Sequence, residues 1–164
     1  NAAVASGVEA KQIAGCFDSV SVCLSKGLGA PVGSLLIGDK DFIREGKRWR
    51  KMLGGGMRQS GLLAAAGMHA LEHHVERLAE DHAKASRLAV GLSEISGVDV
   101  NPVQTNMVLA ALPEESLAEI VGYLRSKDIL ILGASGGIIR MVTHLDVPEE
   151  AIDRVVDAFA AYLS

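Results

Sequence analysis

The sequence predicts a mixed α/β protein that ends in a small α+β lobe. Alternation of apolar and polar residues, or a short apolar run, predicts a strand, whereas apolar residues recurring every three or four positions predict a helix. Over residues 98–164 such strands and helices alternate, which is typical of helices on one face of a mainly antiparallel sheet. The 164 residues are 49% hydrophobic but only 4% aromatic, so aliphatic side chains and alanine must fill the core.

The first predicted strand ends at an unusual lysine. Val20, Val22 and Leu24 share one face of residues 17–24, which is the period-two pattern of a strand. If the extended conformation continues, Lys26 lies on the same apolar side, where burial favours the neutral amine that can attack a carbonyl. The glycine-rich loop that follows would let the backbone approach a ligand closely. The alternative is an ordinary lysine whose amine reaches solvent from the strand end.

Three helices and a second strand complete the first part of the chain. The second helix is highly charged and starts near Asp39 or Asp41, because acidic residues favour a helix N-terminus. A flexible glycine-rich link follows it. The third helix is one long element with a single apolar stripe, as expected of a helix that links two lobes. The helices cover residues 3–14, 39–52 and 60–95, and the strand covers residues 34–38.

The C-terminal lobe contains four short strands and two helices. Its last helix starts at Pro148, because proline suits the first helical position and acidic residues follow it. The strands are predicted at residues 98–100, 107–112, 128–132 and 137–143, and the other helix at residues 114–127.

Charge and cysteine content exclude several classes of protein. A net charge of −4 argues against nucleic acid or an anionic membrane as the main partner. No apolar run approaches the roughly 18 residues of a membrane-spanning helix. Cys16 and Cys23 form no CxxC pair and predict reduced thiols in a cytoplasmic protein. The opening residues NAAVASGVEAKQ contain neither a methionine nor a helix N-cap, which predicts a fragment of a longer chain.

Two clusters of polar residues are candidate ligand sites. Lys47, Arg48, Arg50, Lys51 and Arg58 lie beside three consecutive glycines, a pattern that suits a phosphate group. A solvated helix face or a nucleic-acid patch with a stacking tryptophan are the alternatives.

The histidines form the second cluster. His69 and His73 are four residues apart on a predicted helix and could share a metal ion. No third ligand follows at a recognisable spacing, so we expect no metal site and ordinary exposed histidines.

An arginine interrupts the last predicted strand. Arg140 lies in the apolar run GIIRMVT, where a charge is costly unless it is paired. Its planar guanidinium suits a ligand carboxylate, and an ion pair with a protein carboxylate is the alternative. Thr143 and His144 follow it and are expected to be structural.

Four stretches of the chain resemble a known family. They are DSVSVCLSKGLGAPVGSLLIG, RWRKMLGGGMRQSGLLAAAGMHAL, QTNM and RMVTHLD. Together they resemble the low-specificity L-threonine aldolases, pyridoxal-phosphate-dependent enzymes of fold type I, over essentially the whole chain. The resemblance implies that residues 1–80 are the C-terminal part of a large cofactor-binding domain with αβα layers. Residues 81–164 then form a linking helix and a small α+β domain.

The resemblance also implies roles for single residues. Lys26 corresponds to the catalytic lysine that carries the cofactor as an internal aldimine. Arg140 corresponds to the arginine that binds the substrate α-carboxylate. Lys51 and Arg58 correspond to basic positions near the active site, expected to reach the cofactor phosphate of a neighbouring subunit. The implied activity is retro-aldol cleavage of threonine or allo-threonine to glycine and an aldehyde, in homodimers or homotetramers with shared active sites.

The chain departs from the family in length. Family chains are about twice as long, by the usual size of two-lobed enzymes. The upstream half would carry the aspartate that binds the pyridine nitrogen, the histidine that stacks on the ring and a turn that binds phosphate. Another fold-type I activity, such as glycine hydroxymethyl transfer or an amino-acid lyase, and a non-catalytic fragment are the alternatives.

Overall fold

The computed structural model describes the backbone of all 164 residues and the side chains of all except Glu114 and residues 132–135. The chain folds as two compact units. The first comprises residues 2–78, and the second comprises residues 79–164 together with Asn1.

The first unit contains four helices and a two-stranded sheet. In place of the single weak helix predicted over residues 3–14, two short helices flank Gly7, whose φ of +65° ends the first of them. The strands pair antiparallel, from Ser19 opposite Gly38 to Cys23 opposite Ser34. The elements are α1 (Ala2–Ser6), α2 (Ala10–Ala14), β1 (Ser19–Cys23), β2 (Ser34–Gly38), α3 (Lys40–Met52) and α4 (Gly61–His73).

The two-stranded sheet leaves apolar surface uncovered. Along β1 the predicted alternation is confirmed, because Val20 and Val22 are half-buried and the other three residues of the strand are exposed. Along β2 every residue is exposed, and Leu35, Leu36 and Ile37 keep 40%, 49% and 47% of their surface accessible. A two-stranded hairpin is only marginally stable by itself. Within this unit the sheet therefore depends on its connections to the helices.

Helix α3 is the solvated helix that its charge predicts. Asp39 caps its N-terminus, and the Phe42 backbone N–H donates to Asp39 Oδ1 over 2.8 Å. None of its thirteen residues is buried. The helix ends where Gly54 takes a φ of +84° and its N–H donates to the Lys51 carbonyl.

The prediction of one continuous helix over residues 60–95 is wrong. Helix α4 ends at His73, and helix α5 (Leu78–Ser93) begins five positions later, after residues 74–77. The Leu78 N–H donates to the Val75 carbonyl, three residues back, which makes a turn between the two helices. Apolar residues keep helical spacing across this turn, so periodicity alone does not reveal the break.

The second unit is a four-stranded antiparallel sheet with helices. The strand order is β3-β4-β6-β5, and every neighbouring pair is antiparallel, as the sequence predicts. A turn of 3-10 helix covers Glu114–Ser116. The other elements are β3 (Asp99–Val100), β4 (Met107–Ala111), α6 (Leu117–Ser126), β5 (Leu132–Ser135), β6 (Ile138–Val142) and α7 (Glu149–Leu163).

The strand predicted over residues 128–132 is displaced toward the C-terminus. Asp128 has a φ of +59°, its N–H donates to the Arg125 carbonyl, and the Ile129 N–H donates to the Leu124 carbonyl. These bonds are the Schellman motif that ends a helix. Residues 128 and 129 therefore terminate α6, and the strand starts only at Leu132.

The helices of this unit cover one face of its sheet. In β4 and β6 the residues alternate between buried and accessible, so one face of each strand packs against the helices. The opposite face is left accessible and carries Met107, Val142 and Arg140. The buried face and the helices form one apolar core, which includes Leu88, Leu92, Val108, Ala110, Ile120, Leu124, Ile139, Met141, Ile152 and Phe159.

Alanine substitutions at two helical glycines are expected to have opposite effects on the stability of the protein. A Cβ at Gly91 of α5 would lie 2.6 Å from Val156 Cγ2 of α7, whereas a Cβ at Gly122 of α6 meets nothing within 4 Å. Gly91→Ala should therefore lower the free energy of unfolding by about 1–2 kcal/mol through overpacking. Gly122→Ala should raise it by up to about 1 kcal/mol through helix propensity. Urea denaturation of the full-length protein measures both, and equal effects would contradict the close packing of α5 on α7.

Candidate active site

The loop that follows β1, residues 24–33, is called the Lys26 loop. It is closed by backbone hydrogen bonds on both sides of Lys26. The Leu24 N–H donates to the Gly33 carbonyl, and the Leu24 carbonyl accepts from the Ala30 N–H. Within this loop the Gly29 N–H donates to the Lys26 carbonyl over 2.8 Å, which closes a β-turn. Gly29 and Gly33 have φ values of +70° and +121°, which glycine adopts without strain. The backbone that carries Lys26 is thus fixed.

A small apolar cluster attaches this loop to α4. Leu24, Ala30 and Ala70 are 7%, 6% and 1% exposed and pack together with Leu28. A Cβ at Gly67 would lie 3.0 Å from Leu24 Cδ1, so the absence of a side chain at this position lets the helix approach the loop. Burial of apolar side chains therefore supports the hydrogen bonds that close the loop.

The Lys26 side chain is exposed, so the expectation that it lies against apolar surface is wrong. The reason is local. Strand β1 ends at Cys23, and the bend and turn that follow break the alternation before residue 26. Among the side chains that the structure describes, none forms a hydrogen bond or an ion pair with the Lys26 amine. The Lys26 amine is thus accessible and without a described partner, and the backbone of this residue is fixed.

Arg140 stands on the uncovered face of the second unit's sheet. It lies in the middle of β6, opposite Leu109 of β4, and its side chain is exposed. Together with Leu130, Val142 and His144 it lines a cavity of about 220 Å³. No carboxylate in the described part of the chain lies within 4 Å of its guanidinium, so the alternative of an internal ion pair is not observed there. The guanidinium is available to a ligand anion.

A buried polar network holds the end of β6. Thr143 is 2% exposed, and its hydroxyl donates to the Asp81 carbonyl over 2.6 Å. Its N–H donates to the Asn106 carbonyl, and Asn106 Nδ2 donates back to the Thr143 carbonyl over 2.9 Å. Thr143 is therefore structural, as expected, and it fixes the strand that carries Arg140. The sequence did not single out Asn106, because its partner is 37 residues away.

The glycine link after α3 does not form the predicted anion site at its first two glycines. The N–H groups of Gly54 and Gly55 donate to the carbonyls of Lys51 and Arg50, so neither is free to bind an anion. The C-terminal end of a helix also carries the negative end of its dipole. The side chains of Lys51 and Arg58 are exposed, and a Cβ at Gly56 would lie 3.5 Å from Lys51 Nζ. Lys51 thus reaches over the link.

Near the end of α4, the ring of His69 contacts those of both His73 and His74. The ring of His69 lies 4.5 Å from that of His73 and 5.3 Å from that of His74, measured between centroids. Within the described residues, no group of three or more His, Cys, Asp or Glu side chains could hold a metal ion. His74 Nδ1 lies 2.6 Å from the Leu28 carbonyl oxygen of the Lys26 loop, a contact that the sequence could not indicate.

The candidate residues are divided between the two units. Lys26, Lys51 and Arg58 belong to the first unit, and Arg140 belongs to the second. No helix within the described part of the chain is both long and apolar enough to cross a membrane.

Comparison with known proteins identifies similar sequences and folds. A family model described as beta-eliminating lyase matches residues 1–115. The low-specificity L-threonine aldolase of Escherichia coli (strain K12) is 49% identical over 164 residues, which cover 100% of this chain and 48% of that protein. The chain thus spans about half the length of the curated relatives that it matches.

Two solved structures share the fold at low sequence identity. A provisionally assigned L-allo-threonine aldolase from Listeria monocytogenes has a TM-score of 0.77 and 22% identity, covering 98% of this chain and 49% of that one. A structure of SPT with a pyridoxal phosphate internal aldimine has a TM-score of 0.74 and 18% identity, covering 93% of this chain and 41% of that one. These similarities confirm the predicted fold-type I class.

Proposed function

Because this chain belongs to the beta-eliminating lyase family, we propose that it carries the catalytic lysine and the carboxylate-binding arginine of a pyridoxal-phosphate-dependent L-threonine aldolase. The substrates are L-threonine, L-allo-threonine and related β-hydroxy-α-amino acids, and the products are glycine and an aldehyde. The Lys26 loop carries this proposal, because it presents an accessible amine on a backbone fixed by hydrogen bonds and packing. The name of the E. coli relative supports the choice of reaction.

The residues of the first unit fit the cofactor's chemical groups. The Lys26 amine is accessible and has no described partner, so it is free to bond to an aldehyde. The exposed side chains of Lys51 and Arg58 supply positive charge for a phosphate, in line with their expected place near the cofactor of a neighbouring subunit. When bound, pyridoxal phosphate supplies the conjugated ring that accepts the electron pair of the breaking Cα–Cβ bond.

The fixed backbone of Lys26 limits how far its amine can move. The closed turn leaves only the side-chain torsions of Lys26 free, which lowers the entropy lost when the amine is held in place. Arg140 contributes a planar pair of donors for the substrate α-carboxylate. Since its guanidinium has no described carboxylate partner, no internal ion pair must be broken when that carboxylate binds.

The accessible surface of the chain supports a larger assembly. It amounts to 11067 Å² for 17.2 kDa. A monomeric protein of this mass exposes about 7,800 Å², and two separate domains of half the mass expose about 9,400 Å² together. We assign residues 1–80 to a large cofactor-binding domain, and residues 81–164 to a linking helix and a small domain. The uncovered surface is then buried by the remaining length of the family's chains and by other subunits, in homodimers or homotetramers with shared active sites.

A cytoplasmic location is part of the proposal. Cys16 and Cys23 are both free thiols, as expected in a reducing compartment.

Folate-free turnover of L-threonine tests the reaction. The full-length protein with pyridoxal phosphate is expected to form glycine and acetaldehyde in equal amounts, with acetaldehyde measured through NADH and alcohol dehydrogenase. A requirement for folate would identify a glycine hydroxymethyl transfer instead. Release of ammonia and a 2-oxo acid would identify the elimination chemistry that the family's name describes. Either result would overturn the aldolase assignment.

A further inference from the structure

The Lys26 loop is tied to helix α4 by a side-chain hydrogen bond in addition to packing. The bond joins His74 Nδ1 and the Leu28 carbonyl oxygen over 2.6 Å, between residues that are 46 positions apart. The His74 backbone is itself held, because its N–H donates to the Ala70 carbonyl at the end of the helix. The ring of His69 lies edge-on to the His74 ring at 5.3 Å. The imidazole is therefore fixed where it meets the loop.

The chemistry of this bond assigns the proton. A carbonyl oxygen can only accept a hydrogen bond, so Nδ1 must carry the hydrogen and donate it. In the neutral ring this leaves Nε2 as the acceptor nitrogen. An asparagine side chain can present an N–H donor close to the Nδ1 position, whereas a leucine of similar size cannot donate.

Leu28 belongs to the same turn as Lys26. The turn runs from Lys26 to Gly29 and is closed by the Gly29 N–H bond to the Lys26 carbonyl. It contains Gly27 and Gly29, which by themselves allow many backbone conformations. Fixing the Leu28 carbonyl fixes the orientation of the whole turn, and with it the direction in which the Lys26 side chain leaves the backbone.

We propose that His74 is a positioning residue for Lys26, acting through the Nδ1–H bond that anchors the Leu28 carbonyl to the end of α4. Its connection to the chemistry rests on the proposed function, in which Lys26 holds the cofactor. The bond between His74 and Leu28 does not depend on that function. The sequence offers a matched control in His73, which is adjacent on the chain and contacts the His69 ring but has no described hydrogen bond to the loop.

Hydrogen exchange of the cofactor-free, full-length protein tests the anchor. The peptide that covers residues 24–33 reports on the amides of Gly29 and Ala30, which are bonded inside the loop. Loss of one hydrogen bond should accelerate this exchange by about fivefold in His74→Leu. His74→Asn should exchange nearly as slowly as the wild type, and His73→Leu should match the wild type.

Activity and cofactor trapping separate this proposal from the proposed function. In the loaded enzyme, His74→Leu should lower kcat about tenfold with little change in KM, and His74→Asn should recover most of that loss. Exchange that is unchanged in His74→Leu, or equally fast in both His74 variants, would overturn the anchor. Faster exchange without a change in kcat would overturn the positioning role. If borohydride fails to trap pyridoxal phosphate on Lys26 in the wild type, the proposed function fails, whereas the exchange experiment still decides the anchor.

Discussion

Replacing Lys26 by alanine is expected to reduce the cleavage of L-threonine by the full-length enzyme by roughly 10³-fold or more, because a residue that bonds covalently to the cofactor has no substitute. The absorbance band of the bound cofactor should change as well, since no amine remains at that position. Steady-state kinetics and the absorbance spectrum measure both effects. The free energy of unfolding should stay within about 0.5 kcal/mol, because the Lys26 side chain is exposed and has no described partner.

Lys40→Ala is the matched control for this variant. Lys40 is an exposed lysine of the same unit, at the start of α3, and has no place in the proposed site. Its removal should leave turnover within about twofold of the wild type. Full activity and an unchanged spectrum in Lys26→Ala would show that another amine holds the cofactor.

Replacing Arg140 by lysine should raise KM for L-threonine by about 10- to 100-fold, the effect of losing a charged hydrogen bond worth about 1.5–3 kcal/mol. A lysine keeps the charge but cannot offer two parallel N–H donors to a carboxylate. Because Arg140 has no described carboxylate partner, the stability of the protein should not fall. Steady-state kinetics measures KM, and urea denaturation measures the free energy of unfolding.

Arg125→Lys provides the comparison for Arg140. Arg125 is an exposed arginine of α6 in the same unit, and its replacement should change neither KM nor stability. An unchanged KM in Arg140→Lys would mean that the substrate carboxylate binds elsewhere. A loss of several kcal/mol of stability would instead indicate that Arg140 is paired within the full-length protein.

The sequence predicts those parts of the fold that depend on local pattern. The alternation in β1 and the antiparallel sheet of the second unit follow from residue periodicity and are confirmed. The break between α4 and α5 was not predicted, because the apolar spacing continues across the turn. The start of β5 was misplaced, because Asp128 adopts a left-handed conformation that ends the preceding helix. Aspartate tolerates this conformation, but its presence in a sequence does not predict it.

The sequence indicates a candidate site residue only where a charged side chain occurs next to an apolar or alternating strand pattern. Arg140 interrupts an apolar strand, and Lys26 follows an alternating strand, so both attract attention in the sequence. Their roles remain predictions. His74 and Asn106 make their bonds to residues 46 and 37 positions away, and no local pattern indicates such partners. The exposure of Lys26 was missed because the backbone turns one residue after the strand ends.

Borohydride reduction of the full-length protein in the presence of pyridoxal phosphate, followed by peptide mapping, is the decisive experiment. We predict one modified residue, Lys26, in the peptide that contains the loop after β1. The modification should disappear in Lys26→Ala and persist in Lys40→Ala. A label on a different lysine, such as Lys51, or no label at all, would contradict the assignment of Lys26 as the residue that holds the cofactor.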